Sequence, residues 1–313
     1  MIPSGAILAA GAVCWKVVDK EVRILLVHRT QHKDISIPKG KLDEGETLPE
    51  TAVREIREET GLDIVLGPSL GGVEYKLPGN GKRKYVHYWA AEVDPTKAER
   101  SPFQSNDEIY ALEWVSLEKA ATRLSYAHDV QLIRRFEQLY KAGQARTFPV
   151  VVVRHGKAVP VGNWDGPDSN RPLLNQGMKQ ARAIAGGLAA YAPEVIYSST
   201  ATRCLNTIAP LTYKLETPVK PTDKIAQDNY DPAGATVARF VEKRLEKQRA
   251  VVLCSHGPII PQIVSELIRQ ADGFIDPIVR EAASPGTGDF AVFHIAVSKD
   301  GPHIVSVESH QAP

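Results

Sequence analysis

Long apolar runs are missing from this 313-residue chain; no stretch approaches the roughly 18 residues that read as a membrane span. Cysteine is scarce. Cys14, Cys204 and Cys254 are scattered with no CxxC pair, which leaves neither a disulfide framework nor a zinc site. That usage fits a reducing compartment, so a cytoplasmic location is expected. A dominant charge is missing too: 38 basic residues face 37 acidic ones, for a formal net charge of +1. The balance holds in both halves, with 20 basic and 21 acidic residues through residue 145 and 18 and 16 from residue 146 on. Neither half is a polybasic domain, so direct nucleic-acid binding is not expected. The opening MIPSGAILAAGAVCWKV lacks a basic n-region and soon alternates like a strand, which speaks against a secretory signal. Internal repeats and low-complexity segments are absent as well.

What is present divides in two. The length is about twice that of a usual domain, and either half is long enough to bury a core. Residues 6–18 and 22–28 read as a hairpin around a Asp-Lys turn, 48–60 as a helix, 84–93 and 109–115 as strands, and 117–124 and 129–142 as helices. KAGQART, residues 141–147, is short, polar and glycine-containing, and reads as a linker. Beyond it, apolar strands alternate with helices, the pattern of an α/β domain with a largely parallel sheet covered on both faces. The expected organisation is an α+β domain over 1–140, a linker over 141–147 and an α/β domain over 148–313.

Between Gly40 and Leu62 the chain reads GKLDEGETLPETAVREIREETGL. Glu55, Glu58 and Glu59 stand at i, i+3 and i+4, positions that share one helical face. Carboxylates stacked there repel one another unless a cation intervenes, and hard oxygen ligands suit Mg²⁺ or Mn²⁺. Pro49 suits the first turn of that helix and Gly61 its C-terminal stop. The spacing resembles the Nudix box, with Gly40, Glu46, Arg54, Glu55, Ile56, Glu58, Glu59, Gly61 and Leu62 at its nine fixed places. The resemblance implies an α/β/α sandwich whose box helix holds divalent metal, with metal-activated water attacking phosphorus. It assigns metal binding to Glu55, Glu58 and Glu59, with the Gly40 carbonyl joining them, and catalysis to Glu58 and Glu59. Arg54 is expected to pair with a box carboxylate, and Glu46 to play a supporting part. Family members often draw a further glutamate from outside the box. Glu108, in SNDEIYALEW, is the candidate, with a solvated side chain as the plain alternative.

The flank SIPKGK resembles the diadenosine polyphosphate and diphosphoinositol branches of that family. Lys39 and Lys41 are positioned to hold outer phosphates as point charges. Lys82, Arg83 and Lys84 offer the same chemistry, or a solvated hairpin tip. Tyr85, His87, Tyr88 and Trp89 alternate along a strand, so Tyr88 either stacks a base or packs a core.

The second half repeats one arrangement. FPVVVVRHG sets Arg154 and His155 just past an apolar strand, and AVVLCSHG sets His256 past another. Residues at the carboxyl ends of such strands line the crevice of an α/β sheet. With the arginine of SSTATRCLNT, these residues resemble the histidine phosphatase superfamily. The resemblance implies that His155 is the nucleophile and becomes phosphohistidine, while Arg154, Arg203 and His256 clamp the phosphoryl oxygens. No metal is implied there. DSNRPLL, starting at Asp168, resembles the small branch of that superfamily, and Arg171 either lines the pocket or only enters a helix and pairs at the surface. The glutamate by which larger relatives protonate the leaving group has no counterpart here. Asp165, Asp228 and Asp231 are the loop carboxylates available to replace it.

The pair of domains resembles the two-domain MutT-type proteins. That resemblance implies Mg²⁺-dependent hydrolysis of nucleoside triphosphates and diphosphates, with oxidised guanine nucleotides as the physiological class. Dinucleoside polyphosphates are the alternative substrate. A phosphatase-like half that does not catalyse is the alternative architecture.

Overall fold

The first alternating run forms β1 (Ile7–Val18), which turns back into β2 (Glu21–Arg29). Asp19 and Lys20 at the turn take φ of 51° and 66°, the left-handed conformations that match the twist of a two-residue hairpin. A computed structural model describes residues 5–30, 33–77, 81–273 and 276–313. The chain divides into two units, Met1–Glu44 with Leu48–Arg146, and Gly45–Thr47 with Thr147–Pro313.

In the first unit the sheet continues with β3 (Asp34–Ser36) and β4 (Lys39–Lys41). After α1 (Leu48–Thr60) come β5 (Ser69–Lys76), β6 (Arg83–Glu92), α2 (Pro95–Glu99) and β7 (Ile109–Ser116). Helices α3 (Leu117–Arg123) and α4 (Ala127–Lys141) complete it. Strand order is β3-β2-β1-β6-β5, with β4 paired to β1 and β7 to β2. Only β1 and β6 run parallel among these pairs, so the sheet is mixed. Its core gathers Val13, Trp15, Ile24, Leu26, Val86, Ile133 and Phe136. Each such side chain contributes roughly 1.5–3 kcal/mol by leaving water.

Tyr88 belongs to that core at 1 % exposure, so the base-stacking reading of it is corrected. It sits on a strand flanked by β1 and β5, where Trp89 and Ala90 are buried as well. Alternation there marks two covered faces, not a binding face. Strand β5 was not foreseen. Gly71 takes φ of +81°, which favours glycine, and a Cβ on Gly72 would displace the Tyr85 ring 2.3 Å away, so glycines stand where a sequence pattern expects strand formers.

The second unit opens with β8 (Phe148–Arg154), whose Val150 to Val153 are 0 % exposed. It continues through α5 (Asn175–Ala189), β9 (Val195–Ser198), α6 (Thr202–Leu215), β10 (Val219–Pro221) and α7 (Ala235–Lys247). Then follow β11 (Val251–Ser255), α8 (Ile260–Gln270), α9 (Pro277–Ala283), β12 (Phe290–Ser298) and β13 (Gly301–His310). The order is β10-β9-β11-β8-β12-β13. The first four strands are parallel, and β12 and β13 add an antiparallel edge.

A buried clamp ties that edge together. Glu308 accepts from His294 and His310, each at 3.1 Å, and from the Tyr191 hydroxyl at 3.3 Å. Burial works against its charge, but the two histidine bonds hold its pKa well below the usual carboxylate range. No helix among the described residues is long and apolar enough to cross a membrane.

Candidate active sites

The box forms the expected helix and stops where expected. Gly61 takes φ of +69° and returns its N–H to the Arg57 carbonyl at 2.8 Å. Gly40 leaves room for the Glu55 carboxylate to lie against the backbone, because a Cβ there would lie 1.8 Å from it.

The three box carboxylates differ in burial. Glu59 is buried at 5 % exposure and accepts from the Lys39 backbone N–H at 2.8 Å. Glu58 is largely exposed, and Glu55 lies between. Arg54 bonds Glu55 at 2.9 Å and Glu58 at 3.0 Å, and reaches the Lys41 carbonyl at 2.9 Å. So the expected pairing of Arg54 is present. Among the described residues no three His, Cys, Asp or Glu side chains converge closely enough to hold a metal ion as they stand.

The donor set nonetheless fits a hard divalent cation. Burial raises Glu59 to about 7 against the pull of Lys39, and Glu108 and Glu55 add to the rise. Burial likewise raises Glu55, with Arg54 opposing and Glu58 and Glu108 adding. These are oxygen donors short of positive charge, and Glu108 shares their field although it arrives from the start of β7.

Beside them lies a cavity of about 750 Å³. Lys39, Gly40, Lys41, Glu55, Lys84 and Glu108 line it, as sequence reasoning brought forward. Its cations crowd one another: burial, then Lys39, Lys41 and Arg29, lower Lys84 to about 8. Lys82 and Arg83 do not line it; Arg83 pairs with Glu74 at 3.2 Å.

Several lining residues were missed: Arg29, Tyr75, Tyr126, His128 and Asp129. Arg29 is aimed by a two-pronged bond to Asp34, at 2.7 and 2.5 Å, and Tyr126 donates to the same carboxylate. His128 stacks between Tyr75 and Tyr126, with ring centroids 4.9 and 5.2 Å away at 12° and 19°. Asp129 is fully buried, and burial raises it to about 6 against Lys39 and the Ile37 N–H. Tyr75 comes from the unforeseen strand, so no local signal joined it to residues 126–129.

In the second unit, register makes the site. Arg154 and Ser255 pair across the parallel strands β8 and β11, so the next residues, His155 and His256, emerge side by side. Their rings meet edge to face at 5.3 Å. A Cβ on Gly156 would lie 2.8 Å from the Gly177 carbonyl, so only glycine lets helix α5 approach.

The hydrogen bonds assign the tautomers. His155 Nδ1 is 2.8 Å from the Gly156 carbonyl, which only accepts, so Nδ1 carries the proton and Nε2 keeps its lone pair. His256 Nδ1 accepts from Arg203 at 3.1 Å, and its Nε2–H donates to Ser199 Oγ at 2.8 Å. Burial, with the fields of Arg203, Arg154 and Arg171 added, lowers His155 to about 4. Burial, Arg203 and His155 lower His256 to about 3. Both rings are therefore neutral at pH 7, as a nitrogen nucleophile requires.

Arg154, His155 and Arg171 line a cavity of about 280 Å³. Arg203 and His256, 1 % and 0 % exposed, lie behind its lining. Asp168 organises the arginines and was missed as a linking residue. It accepts from Arg203 at 2.8 Å and from Arg171 at 2.9 Å, while its carbonyl takes a second Arg203 bond at 2.7 Å. Arg171 thus does more than start a helix. Arg154 Nε and Arg203 Nε are buried without a hydrogen-bond partner among the described residues. Each such donor costs about 1–3 kcal/mol, and phosphoryl oxygens are the acceptors that relieve it. Asp165, Asp228 and Asp231 do not line this cavity.

Together the sites define a two-domain phosphoryl-transfer hydrolase, one centre rich in carboxylates and the other built on histidine and arginine. Residues 8–136 match the NUDIX domain, and residues 150–232 match the histidine phosphatase superfamily (branch 1). The 8-oxo-(d)GTP phosphatase of Mycolicibacterium smegmatis is 34% identical over 265 residues, covering 82% of this chain and 79% of that protein. The asymmetrical bis(5'-nucleosyl)-tetraphosphatase of Mus musculus is 39% identical over 85 residues, 26% of this chain and 56% of that one. An Ap4A hydrolase structure from C. elegans is 27% identical with a TM-score of 0.39, covering 44% of this chain and 99% of that one. The chain belongs to the family in which a Nudix hydrolase domain precedes a histidine phosphatase domain, and it is a hydrolase of phosphoanhydride bonds.

Proposed function

We propose that the protein sanitises oxidised guanine nucleotides, taking 8-oxo-dGTP or 8-oxo-GTP to the diphosphate and on to the monophosphate. The observation that carries this is the likeness to the M. smegmatis 8-oxo-(d)GTP phosphatase across most of both chains. Glu55, Glu58, Glu59 and the Gly40 carbonyl would hold Mg²⁺, or Mn²⁺, with Glu108 beside them. Bound metal supplies a more acidic water and neutralises charge on the transferred phosphate. The chain's own part is to fix the polyphosphate: Arg29, Lys39, Lys41 and Lys84 line one cavity with Glu55 and Glu108. The stacked Tyr75, His128 and Tyr126 offer aromatic faces beside that charge.

The second reading is cleavage of dinucleoside polyphosphates. The lining Lys39 and Lys41 of the PKGK flank and the likeness to the mouse tetraphosphatase favour it. Three free, buried cysteines agree with a cytoplasmic setting, and no direct nucleic-acid partner is proposed.

Product analysis of the full-length protein on 8-oxo-dGTP, 8-oxo-dGDP and diadenosine tetraphosphate, with Mg²⁺ and with chelator, tests this. The expected result is Mg²⁺-dependent loss of 8-oxo-dGTP with the highest kcat/KM of the three. If 8-oxo-dGTP survives while diadenosine tetraphosphate is cleaved, the second reading replaces the first.

A further inference from the structure

The second site is lined by several cations and, among the described residues, by no carboxylic acid that could protonate a leaving group. Arg154, Lys157 and Arg171 line the cavity around His155, with Gln227 and Thr287 as neutral polar neighbours. No Asp or Glu is among the described residues lining it, and the residues outside the described set include neither type. Among the described residues Asp168 is the carboxylate bonded to both Arg171 and Arg203. Although its partial burial works against charge, Arg203 and Arg171 lower its pKa, so it stays ionised and has no proton to give. The neutral His256 commits its Nε2–H to Ser199.

We propose that this site is specific for phosphoanhydrides: it removes the terminal phosphoryl group of a nucleoside diphosphate or similar donor whose leaving group is itself a phosphate, with Lys157 receiving that phosphate. The inference rests on the reading of His155 as nucleophile and names the substrate class that this site takes. His155 Nε2 forms the N–P bond as the bridging P–O bond breaks, and its electron pair departs on the nucleoside monophosphate. That product needs no proton to leave, because the last ionisation of a phosphate monoester has a pKa of about 6. An alkoxide from an alkyl phosphate is as poor a leaving group as hydroxide, whose parent water has a pKa of about 15.7. Water then attacks the phosphohistidine, the N–P pair returns to Nε2, and the water proton passes to solvent. Nδ1–H stays on the Gly156 carbonyl throughout. Lys157 is exposed at the rim, and no carboxylate pairs with its ammonium among the described residues.

The test uses full-length protein in chelator, so that only metal-independent turnover is read. The probes are GDP, 8-oxo-dGDP, glycerol phosphate and a series of aryl phosphates of graded phenol pKa. General acid catalysis contributes roughly 10²–10⁴-fold, so the diphosphates should exceed glycerol phosphate in kcat/KM by at least that factor. The aryl series should fall steeply as phenol pKa rises. Lys157→Ala should shift the ratio of diphosphate to aryl phosphate kcat/KM about tenfold towards the aryl substrate. Glycerol phosphate cleaved within tenfold of GDP, or a flat aryl series, overturns the proposal by revealing an acid. Aryl phosphates cleaved with both diphosphates untouched also overturns it while leaving the nucleophile reading intact. Silence on every probe, with no phosphoenzyme, removes the nucleophile reading and the proposal with it.

Discussion

The two units handle the same group with opposite electrostatics. In the first, carboxylates that burial and mutual repulsion push towards neutrality stand beside a crowd of lysines. In the second, neutral histidines stand among arginines that one ionised aspartate keeps in place. On the proposed metal assignment the first arrangement draws its positive charge from a mobile cation, whereas the second carries its positive charge covalently. Metal dependence is thus a matter of which sign of charge the fold supplies. The difference also explains why one site holds hard oxygen donors and the other spare N–H groups at Arg154 and Arg203.

The largest effect should separate the sites outright. His155→Ala removes the Nε2 lone pair proposed as the nucleophile of the second unit. Metal-independent phosphatase activity and any acid-labile phosphoenzyme should fall by roughly 10⁴–10⁶, while Mg²⁺-dependent polyphosphate hydrolysis stays near wild type. A phosphoenzyme persisting in the variant means another nucleophile. The imidazole should also remain neutral down to about 4, as ¹⁵N NMR of labelled histidine reports; a midpoint near 6.5 contradicts the burial argument.

Glu59→Gln tests the other half. The amide keeps the shape and the bond to the Lys39 N–H but removes an anion. Polyphosphate hydrolysis should drop by roughly 10²–10³, a loss typical of one electrostatic group, and excess Mg²⁺ should not restore it. Chelator-resistant phosphatase activity should be untouched. Near-normal turnover in saturating Mg²⁺ ends the metal assignment for Glu59.

Asp168→Asn addresses how the second site holds itself together. It keeps the side-chain size and weakens the hold on Arg171 and Arg203. KM for an aryl phosphate should rise about tenfold, with a smaller change in kcat, since positioning and not chemistry is altered. An unchanged KM means the arginines hold their places without it.

Much of this was readable locally and some was not, for reasons of distance along the chain. The box helix, its Gly61 stop and the strand ends carrying His155 and His256 are short-range patterns, and the structure keeps them. Glu108 and Arg171 needed one long-range coincidence each. The link from Asp168 to Arg203 spans 35 residues, and the stack of Tyr75 with His128 spans 53, so no spacing announces them. Tyr88 stayed open between a base and the core because alternation cannot distinguish a binding face from a second buried face. Strands β5 and β13 were hidden by glycines and by half-buried polar residues.

The smallest effect on catalysis should come from Glu308→Gln, which leaves both centres alone and breaks the clamp between β12 and β13. Its two histidine partners donate to a carboxylate, and an amide presents its own donors to one of them. A buried donor left facing a donor costs about 1–3 kcal/mol. For a unit of this size that lowers the unfolding midpoint by roughly 2–12 °C, readable by calorimetry at pH 7. The pH dependence has a definite sign. A carboxylate whose folded pKa is depressed stabilises above its unfolded value, about 4.3, and loses that contribution as pH falls through the folded one. The gap between wild type and variant should therefore be full at pH 7 and shrink below about pH 4. A gap that is constant with pH would mean that packing around Tyr191 and Phe290, not charge, is what Glu308 contributes. Either way both hydrolytic activities should stay within about twofold of wild type, because the clamp touches none of the residues assigned to either centre.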